Sequence, residues 1–332
     1  MIKSEEKSAY FAAERTDIEG SGADPRRHIF RLENEGIMFR TAHFDTGKGG
    51  DPIEILHTTD LHLNCLDAVD CIERRPCILS TREFRLGFRD GSTVPNTVRT
   101  MALSKFFDQT VVTGDTLDYI THGTFDLTKR LVWDVCPDAF VTIGGHDITR
   151  VMQGKVPDDT TLESRYALLS ENWRHDIHYV SRVLGDKVRV VAVNNGQSRF
   201  FSHQTERLRA DISDARARGH IVLLFWHEPI CTRNPNEVDV VPIRVNDGSG
   251  TRDFCHSFIG KDGQTCAESL EFYNLVTHNA DVIRGIFCGH WHSDFYTEIL
   301  AETPDGKKTV IPQYVLTGNM YDKGHALIIT VD

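Results

Sequence analysis

The sequence of 332 residues lacks long hydrophobic runs, a surplus of basic residues and paired cysteine motifs. We expect neither a membrane-spanning helix nor a signal peptide, because no apolar run is long enough and residues 1–24 are mostly polar or charged. The formal net charge of −11 disfavours general binding to nucleic acids, which requires clustered Lys and Arg. None of the 8 cysteines has a CxxC spacing, which favours free thiols in a reducing compartment. These absences predict a cytoplasmic protein with neither a membrane nor nucleic acid as a general partner.

The length of the chain is compatible with two domains, but the candidate site residues extend from 60 to 292 and require one shared fold. We therefore predict a polar N-terminal tail at 1–26 followed by a single domain at 27–332. Alternating apolar and polar residues predict an edge hairpin at 27–46. The segment 233–265 is rich in Asn, Asp, Gly and Ser, and we predict an inserted loop that shapes substrate access.

Strand-like apolar runs alternate with helix candidates, a rhythm typical of an α/β fold. Helices are predicted at 95–107, 125–135, 162–173, 204–218 and 267–278, and two closing strands at 310–317 and 325–331.

Five of the apolar runs end in a motif that contains Asp or His. These motifs are Asp60-Leu61-His62, Gly114-Asp115-Thr116-Leu117-Asp118, Gly144-Gly145-His146-Asp147, Trp226-His227-Glu228 and Gly289-His290-Trp291-His292. Ligand sites of α/β sheets gather at the carboxyl ends of strands, and carboxylate with imidazole suits Zn, Mn or Fe better than Ca or Mg. Single motifs of this kind are common in solvated turns, but five at successive strand ends favour a metal site.

The order of these motifs resembles the calcineurin-like metallophosphoesterase superfamily over about residues 50–332. The resemblance implies a two-sheet β-sandwich flanked by helices, a four-layer α/β/β/α fold, with two metal ions at one edge. It implies that Asp115 bridges the two ions, which are Mn, Fe or Zn. The first ion would be held by Asp60, His62, Asp115 and His292, and the second by Asp115, His227 and His290.

The same resemblance implies hydrolysis of a phosphate ester by a hydroxide held between the two metal ions. His146 would act as the general acid, and Asp118 would orient it and raise its pKa. The alternative explanation of Asp118, which the pattern favours less, is a carboxylate at a helix N-terminus that the helix dipole stabilises. The family carries asparagine where this chain has Gly145, and that asparagine ligates the second metal and lies close to the substrate phosphate. Glycine therefore predicts a weaker second metal site, unless water, Asn194 or Asn195 replaces the missing ligand.

Four further residues near these motifs have alternative explanations. Trp291 is a candidate to stack on a substrate ring, or to pack beside the metals. His57, at a strand end, is best explained as hydrogen-bonded structure, and Cys288 as a small buried side chain. Glu228 is a candidate to accept a hydrogen bond from a metal ligand.

Departures from the family pattern indicate which class of substrate the protein acts on. Ser/Thr protein phosphatases of the superfamily carry Arg where this chain has Tyr119, so the pattern favours a small-molecule phosphate ester, with a lean towards phosphodiesters. The alternative is a non-catalytic scaffold that keeps the fold and a degenerate second site, and Gly145 is the feature that favours it. The sequence makes no prediction about the oligomeric state.

Overall fold

The structure of the chain is a computed structural model. It describes residues 29–32, 36–70, 93–148, 161–230, 243–246, 251–254, 266–320 and 323–332. The predicted tail at 1–26 lies outside these residues, and the single domain at 27–332 stays a prediction.

The described strands form two six-stranded sheets and a separate hairpin. In chain order they are β1 (Ile29–Leu32), β2 (Ile37–Phe44), β3 (Ile53–Thr58), β4 (Gln109–Thr113), β5 (Phe140–Thr142), β6 (Tyr179–Leu184), β7 (Val188–Val193), β8 (Ile221–Phe225), β9 (Ile243–Asn246), β10 (Thr251–Phe254), β11 (Ile283–Cys288), β12 (Phe295–Glu302), β13 (Lys308–Val315) and β14 (Gly324–Val331). The first sheet has the order β1-β2-β14-β3-β4-β5, and the second has the order β12-β13-β11-β8-β7-β6.

Parallel pairing dominates the centre of both sheets. In the first sheet β3, β4 and β5 are parallel to one another, and in the second sheet β7, β8, β11 and β13 are parallel. The antiparallel pairs are β1 with β2 and β14 with β3 in the first sheet, and β6 with β7 and β12 with β13 in the second. Parallel neighbours end at the same edge, so the loops after β3, β4, β5, β8 and β11 can converge there.

Helices cover the outer faces of the sheets. They are α1 (Thr93–Ala102), α2 (His122–Thr128), α3 (Leu162–Asn172), α4 (Ser202–Arg218) and α5 (Ala267–Thr277). A 3₁₀ turn at Leu103–Phe106 follows α1, and a π-helical turn at Lys129–Trp133 follows α2. The helix α4 ends at Gly219, whose φ of 67° is the left-handed conformation that glycine adopts without strain. In the described part of the chain, no helix has the length and apolar character needed to cross a membrane.

Side chains of each central strand alternate between two cores, as the two-residue period of a strand requires. Val111 of β4 packs between the sheets, whereas its neighbour Val112 packs against the helical side. In the second sheet, Leu223 and Phe225 face the core between the sheets, and Leu224 packs on the side of α4 and α5. The result is helices, sheet, sheet and helices in four layers, which confirms the predicted α/β/β/α fold.

Three local features differ from the expectations. The strand β12 was not predicted, because Thr297 and Glu298 interrupt its apolar residues and leave only the short run 299–301. The segment 233–265, expected to be a loop, contains the antiparallel hairpin β9–β10. The helix expected at 125–135 begins at His122, and Thr121 caps it by accepting the N–H of Thr124. The predicted edge hairpin is formed by β1 and β2.

His57 lies on β3 between the sheets and is completely buried. Its Nε2 lies 2.8 Å from the Thr113 hydroxyl, and its ring meets Phe225 and Phe287 edge-on. Burial lowers the pKa of His57 to about 3, although the charge of Asp60 opposes this shift. His57 is therefore a structural histidine that stays neutral in the folded protein.

We expect His57→Gln to flatten the dependence of stability on pH below pH 6.5. The unfolded chain binds a proton at His57 near pH 6.5, but the folded chain does so only near pH 3, so folded wild-type protein loses stability across this window as pH falls. The loss from this one group amounts to about 4–5 kcal/mol at pH 3. Urea unfolding of both proteins from pH 7 to pH 4 measures the difference in slope. Parallel curves would contradict a neutral, buried His57.

Candidate metal centre

Four of the predicted ligands converge where β3, β4 and β11 end. The ligand atoms of Asp60, His62, Asp115 and His292 all lie within 4.8 Å of one another. The His292 Nε2 lies 3.1 Å from Asp60 Oδ1 and 3.2 Å from His62 Nε2, and His62 Nε2 lies 3.7 Å from Asp115 Oδ2. Two carboxylates and two imidazoles thus surround one small volume.

A second group of ligand atoms adjoins the first and shares Asp115 with it. It consists of Asp115, His227 and His290, again within 4.8 Å of one another. The His227 Nε2 lies 3.3 Å from Asp115 Oδ2 and 3.2 Å from His290 Nδ1. The strand ends of both sheets therefore meet at one carboxylate.

The two oxygens of Asp115 have different environments. Oδ1 accepts the backbone N–H of His146 at 2.9 Å, whereas Oδ2 faces His62 on one side and His227 on the other. The loop after β5 can lie this close to Asp115 because residue 144 is glycine: a Cβ there would be 2.2 Å from Asp115 Oδ1. Asp115 is thereby oriented so that one oxygen serves both ligand groups.

Hydrogen bonds on the far side of two imidazoles determine their tautomers. The Nδ1–H of His62 donates to Asp118 Oδ1 at 3.0 Å, and the Nδ1–H of His227 donates to the Thr113 carbonyl at 2.8 Å. This assignment leaves the Nε2 lone pair of each ring facing the centre, which is the arrangement found in metal-ligating histidines.

Asp60 completes the donor set of the first group. Its Oδ2 accepts the Thr59 hydroxyl at 2.6 Å and the His290 backbone N–H at 2.9 Å, whereas its buried Oδ1 has no hydrogen-bond partner. An unpartnered buried carboxylate oxygen beside imidazole lone pairs is unfavourable unless a cation lies between them. The residues present therefore fit a metal ion, and this mixture of nitrogen and oxygen donors suits Mn, Fe or Zn.

The local electrostatics favour cations. Burial opposes the charged form of His62, but the neighbouring carboxylates of Asp118, Asp60 and Asp115 raise its pKa to about 9. Burial likewise opposes a charged His227, but Asp115 raises its pKa to about 10. The pKa of Asp115 is held far below its usual value, because the neighbouring His227 and His146 outweigh burial. The excess negative charge of the carboxylates thus attracts positive charge to the centre, from protons or from metal ions.

Five of the six predicted ligands adopt left-handed backbone conformations. The φ angles are 49° for Asp60, 43° for His62, 48° for Asp115, 73° for His290 and 49° for His292. Such values are uncommon outside glycine and cluster at functional sites. Here they turn the chain abruptly after each strand, which brings Asp60 and His62 into one ligand group and His290 and His292 into the two adjoining groups.

His146 and Asp118 lie beside the first ligand group. Asp118 is fully buried, and its Oδ1 is 3.0 Å from His62 Nδ1 and 3.4 Å from His146 Nδ1. The His146 side chain is 34% exposed, so it borders the open side of the centre. Sequence reasoning assigned Asp118 to His146 alone and missed its contact with His62. The helix-cap explanation does not apply, because Thr121 caps α2.

Gly145 leaves open space next to the second group. A Cβ at this position would meet no heavy atom closer than the Gly196 carbonyl oxygen, at 3.7 Å. Asn195 does not fill the gap, because its Oδ1 accepts the N–H groups of His227 and Glu228, both at 3.0 Å, and its Nδ2 donates to the Glu228 carbonyl. Asn194 accepts the N–H of Gly196. The side-chain oxygens of both asparagines thus accept backbone N–H groups, and this geometry favours neither of them as the replacement ligand.

Two further candidates from the sequence can now be assigned. Trp291 is only 6% exposed, and its ring meets the ring of His290 edge-on, so packing beside the ligands explains it better than stacking on a substrate. Glu228 does not accept a hydrogen bond from a metal ligand, because its Oε1 accepts the backbone N–H of Ser198 at 3.2 Å. Cys288 is buried in the same core as Trp291, as expected.

Sequence reasoning also missed two residues that position the ligand loops. Asp147 is buried and accepts the N–H of Leu117 and of Gly144, each at 2.7 Å, which joins the loops after β4 and β5. Asn319 donates its backbone N–H to the Asp60 carbonyl at 3.2 Å. Asp147 ends one of the five motifs and was identifiable on that ground, whereas no sequence signal marks Asn319.

Comparison with known proteins places the chain in a family. Residues 53–294 match the family described as Calcineurin-like phosphoesterase. A dimetal phosphatase from Danio rerio is similar in structure, at 12% identity and a TM-score of 0.43, over 83% of this chain and 91% of that chain. The purple acid phosphatase PPD1 from yellow lupin (Lupinus luteus) seeds is similar at 12% identity and a TM-score of 0.42, over 79% of this chain and 40% of that one.

A search of curated proteins finds no significant match to the chain. The family match spans most of the sequence and includes every residue of both ligand groups. The chain therefore belongs to the calcineurin-like phosphoesterase family, whose members hydrolyse phosphate esters with the help of metal ions.

Proposed function

We propose that the protein hydrolyses a small-molecule phosphate ester, preferably a diester, at a two-metal centre with His146 as general acid. The observation that carries this proposal is the shared Oδ2 of Asp115, which lies between two groups of ligand atoms. Tyr119, in place of the arginine of the Ser/Thr protein phosphatases, supports the small-molecule class. A cytoplasmic location stays a prediction.

When bound, two divalent ions at such a centre supply a nucleophilic hydroxide near neutral pH and neutralise charge on the phosphoryl oxygens. The six ligands would hold these ions, and Asp115 would contribute to both ligand groups. The strained loops and the Asp118–His62 hydrogen bond keep the donor atoms in place before substrate arrives.

His146 is placed for proton transfer to the leaving group. Asp118 lies on the Nδ1 side of the ring, and the imidazole borders the open side of the centre. In this arrangement the carboxylate holds the imidazolium in orientation, and Nε2–H donates its proton to the departing oxygen. General acids of this kind contribute a factor of about 10² to 10⁴.

We expect Gly145→Asn to tighten binding of the second metal ion. The position has room for a side chain and a φ outside the left-handed region, so asparagine is accommodated without strain. Its amide oxygen would add a tethered ligand beside His227 and His290, and we expect about 10-fold tighter binding. Calorimetric titration of Mn²⁺ into metal-free wild-type and variant proteins measures this difference.

Gly145→Ala is the matched control, because it adds the Cβ without a ligand atom and should leave the affinity for the second ion unchanged. If wild-type protein already binds its second ion as tightly as the asparagine variant, the expectation of a weakened second site is wrong.

The function is tested by hydrolysis of bis-(p-nitrophenyl) phosphate and p-nitrophenyl phosphate after loading with Mn²⁺, Zn²⁺ or Fe²⁺. We expect activity that chelators abolish, with a higher kcat/KM for the diester. Faster hydrolysis of the monoester would refute the diester preference alone.

Gly145 favours a second candidate function, that of a non-catalytic scaffold with a degenerate second metal site. Hydrolysis of neither ester by protein with bound metal would support the scaffold and contradict the proposed enzyme.

A further inference from the structure

Glu228 is a buried carboxyl group for which the proposed reaction has no use. The residue is only 4% exposed. Its Oε1 accepts the Ser198 N–H at 3.2 Å, but its Oε2 is buried without a hydrogen-bond partner. Leaving a carboxylate oxygen in this state is costly unless a nearby positive charge compensates for it.

The backbone around Glu228 is firmly held. Asn195 uses its side chain to accept the N–H of His227 and of Glu228 and to donate to the Glu228 carbonyl, with all three distances between 2.9 and 3.0 Å. The backbones of His227 and Glu228 are therefore fixed relative to each other.

The turn that holds Glu228 also borders the gap at Gly145. Ser198 donates to Glu228 Oε1, and two residues earlier the Gly196 carbonyl is the nearest heavy atom to the missing Cβ of Gly145. Glu228 and the gap thus lie against the same short turn, on the side of the centre formed by His227.

Glu228 lies beside the second ligand group without being a direct ligand. It follows the ligand His227 in the chain, yet its carboxyl group belongs to neither group of converging ligand atoms. A carboxylate that borders a metal site attracts a cation through its field and through a bridging water molecule.

We propose that Glu228 is a positioning residue of the second metal site, and that its negative charge compensates for the ligand lost at Gly145. This inference rests on the proposed two-metal function. Other members of the family have an asparagine ligand at the position of Gly145. In this chain Gly145 supplies no ligand, and the negative charge of Glu228, which is not itself a ligand, compensates for it.

The test titrates Mn²⁺ into metal-free wild-type protein, Glu228→Gln and Gly145→Asn/Glu228→Gln. Glutamine keeps the shape of the side chain and an oxygen that accepts from Ser198, so it removes only the charge. We expect Glu228→Gln to bind the second ion about 10- to 100-fold more weakly, with the first ion unaffected. In the double variant, asparagine at 145 should restore the affinity.

Glu206→Gln is the control for loss of one negative charge, because Glu206 is exposed on α4. Glu206→Gln should bind the first and the second Mn²⁺ ion as tightly as wild-type protein does. Urea unfolding of the metal-free control and wild-type proteins should give equal stabilities.

Three results would count against the proposal in different ways. Unchanged affinity for the second ion in Glu228→Gln would overturn the role of Glu228. Weakened binding that asparagine at 145 fails to restore would show that Glu228 supports the loop, and would also overturn it. Wild-type protein that binds a single ion would refute the two-metal function itself.

Discussion

Asp115→Asn is expected to reduce the bound metal from two ions to at most one and to lower kcat/KM by about 10³-fold or more. The reason is the position of Oδ2, which lies 3.3 Å from His227 Nε2 and 3.7 Å from His62 Nε2. A neutral amide cannot supply the charge that holds two cations at one oxygen. The resulting loss of several kcal/mol of charge stabilisation corresponds to the expected decrease in kcat/KM. Elemental analysis of the purified variant, beside ester hydrolysis, measures both effects.

Asp126→Asn is a suitable control, because Asp126 is half-exposed on α2 and pairs with Arg130 away from the centre. It should retain two ions and full activity. Full metal content together with intact activity in Asp115→Asn would show that another group bridges the ions.

His146→Ala is expected to slow hydrolysis of alkyl esters by about 10²- to 10⁴-fold and of nitrophenyl esters by less than about 10-fold. A poor leaving group needs a proton as it departs, whereas nitrophenolate leaves readily without one. Metal content should not change, because His146 contacts Asp115 through its backbone N–H, which alanine retains. Rates on methyl p-nitrophenyl and dialkyl phosphates, measured at saturating metal, provide the comparison.

Asp118→Asn is expected to affect both proton transfer and metal binding, in contrast to His146→Ala. Asp118 contacts both His146 and the metal ligand His62, so this variant should lose metal from the first site in addition to general-acid catalysis. Equal losses on alkyl and nitrophenyl esters in His146→Ala would assign His146 to substrate binding or metal geometry instead.

Much of the architecture follows from local sequence patterns. The two-residue alternation at Val111 and Val112 assigns one side chain to each face of the first sheet, and the structure buries them in different cores. The placement of Asp and His directly after apolar runs predicts their convergence, because parallel strands end at a common edge. The ligand groups around Asp115 therefore follow from strand ends and motif order.

Other features depend on contacts between distant segments and leave no local signal. The burial of Trp291 results from packing against the second sheet and its helices, whereas its sequence neighbours His290 and His292 suggested an open site. Asn195 can accept the N–H groups of His227 and Glu228 only because the loops after β7 and β8 lie side by side. Polar residues interrupt the apolar residues of β12, and its pairing with β13 becomes apparent only in the assembled sheet.

The central claim is that Asp115 joins two metal ions through one oxygen. Anomalous diffraction from crystals grown with Mn²⁺ tests it most directly, because each ion gives its own peak. We expect two peaks about 3.5 to 4 Å apart. One should lie beside His62 and His292 and the other beside His227 and His290, with Asp115 Oδ2 between them. A single peak at full Mn²⁺ saturation, or two peaks without Asp115 between them, would contradict it.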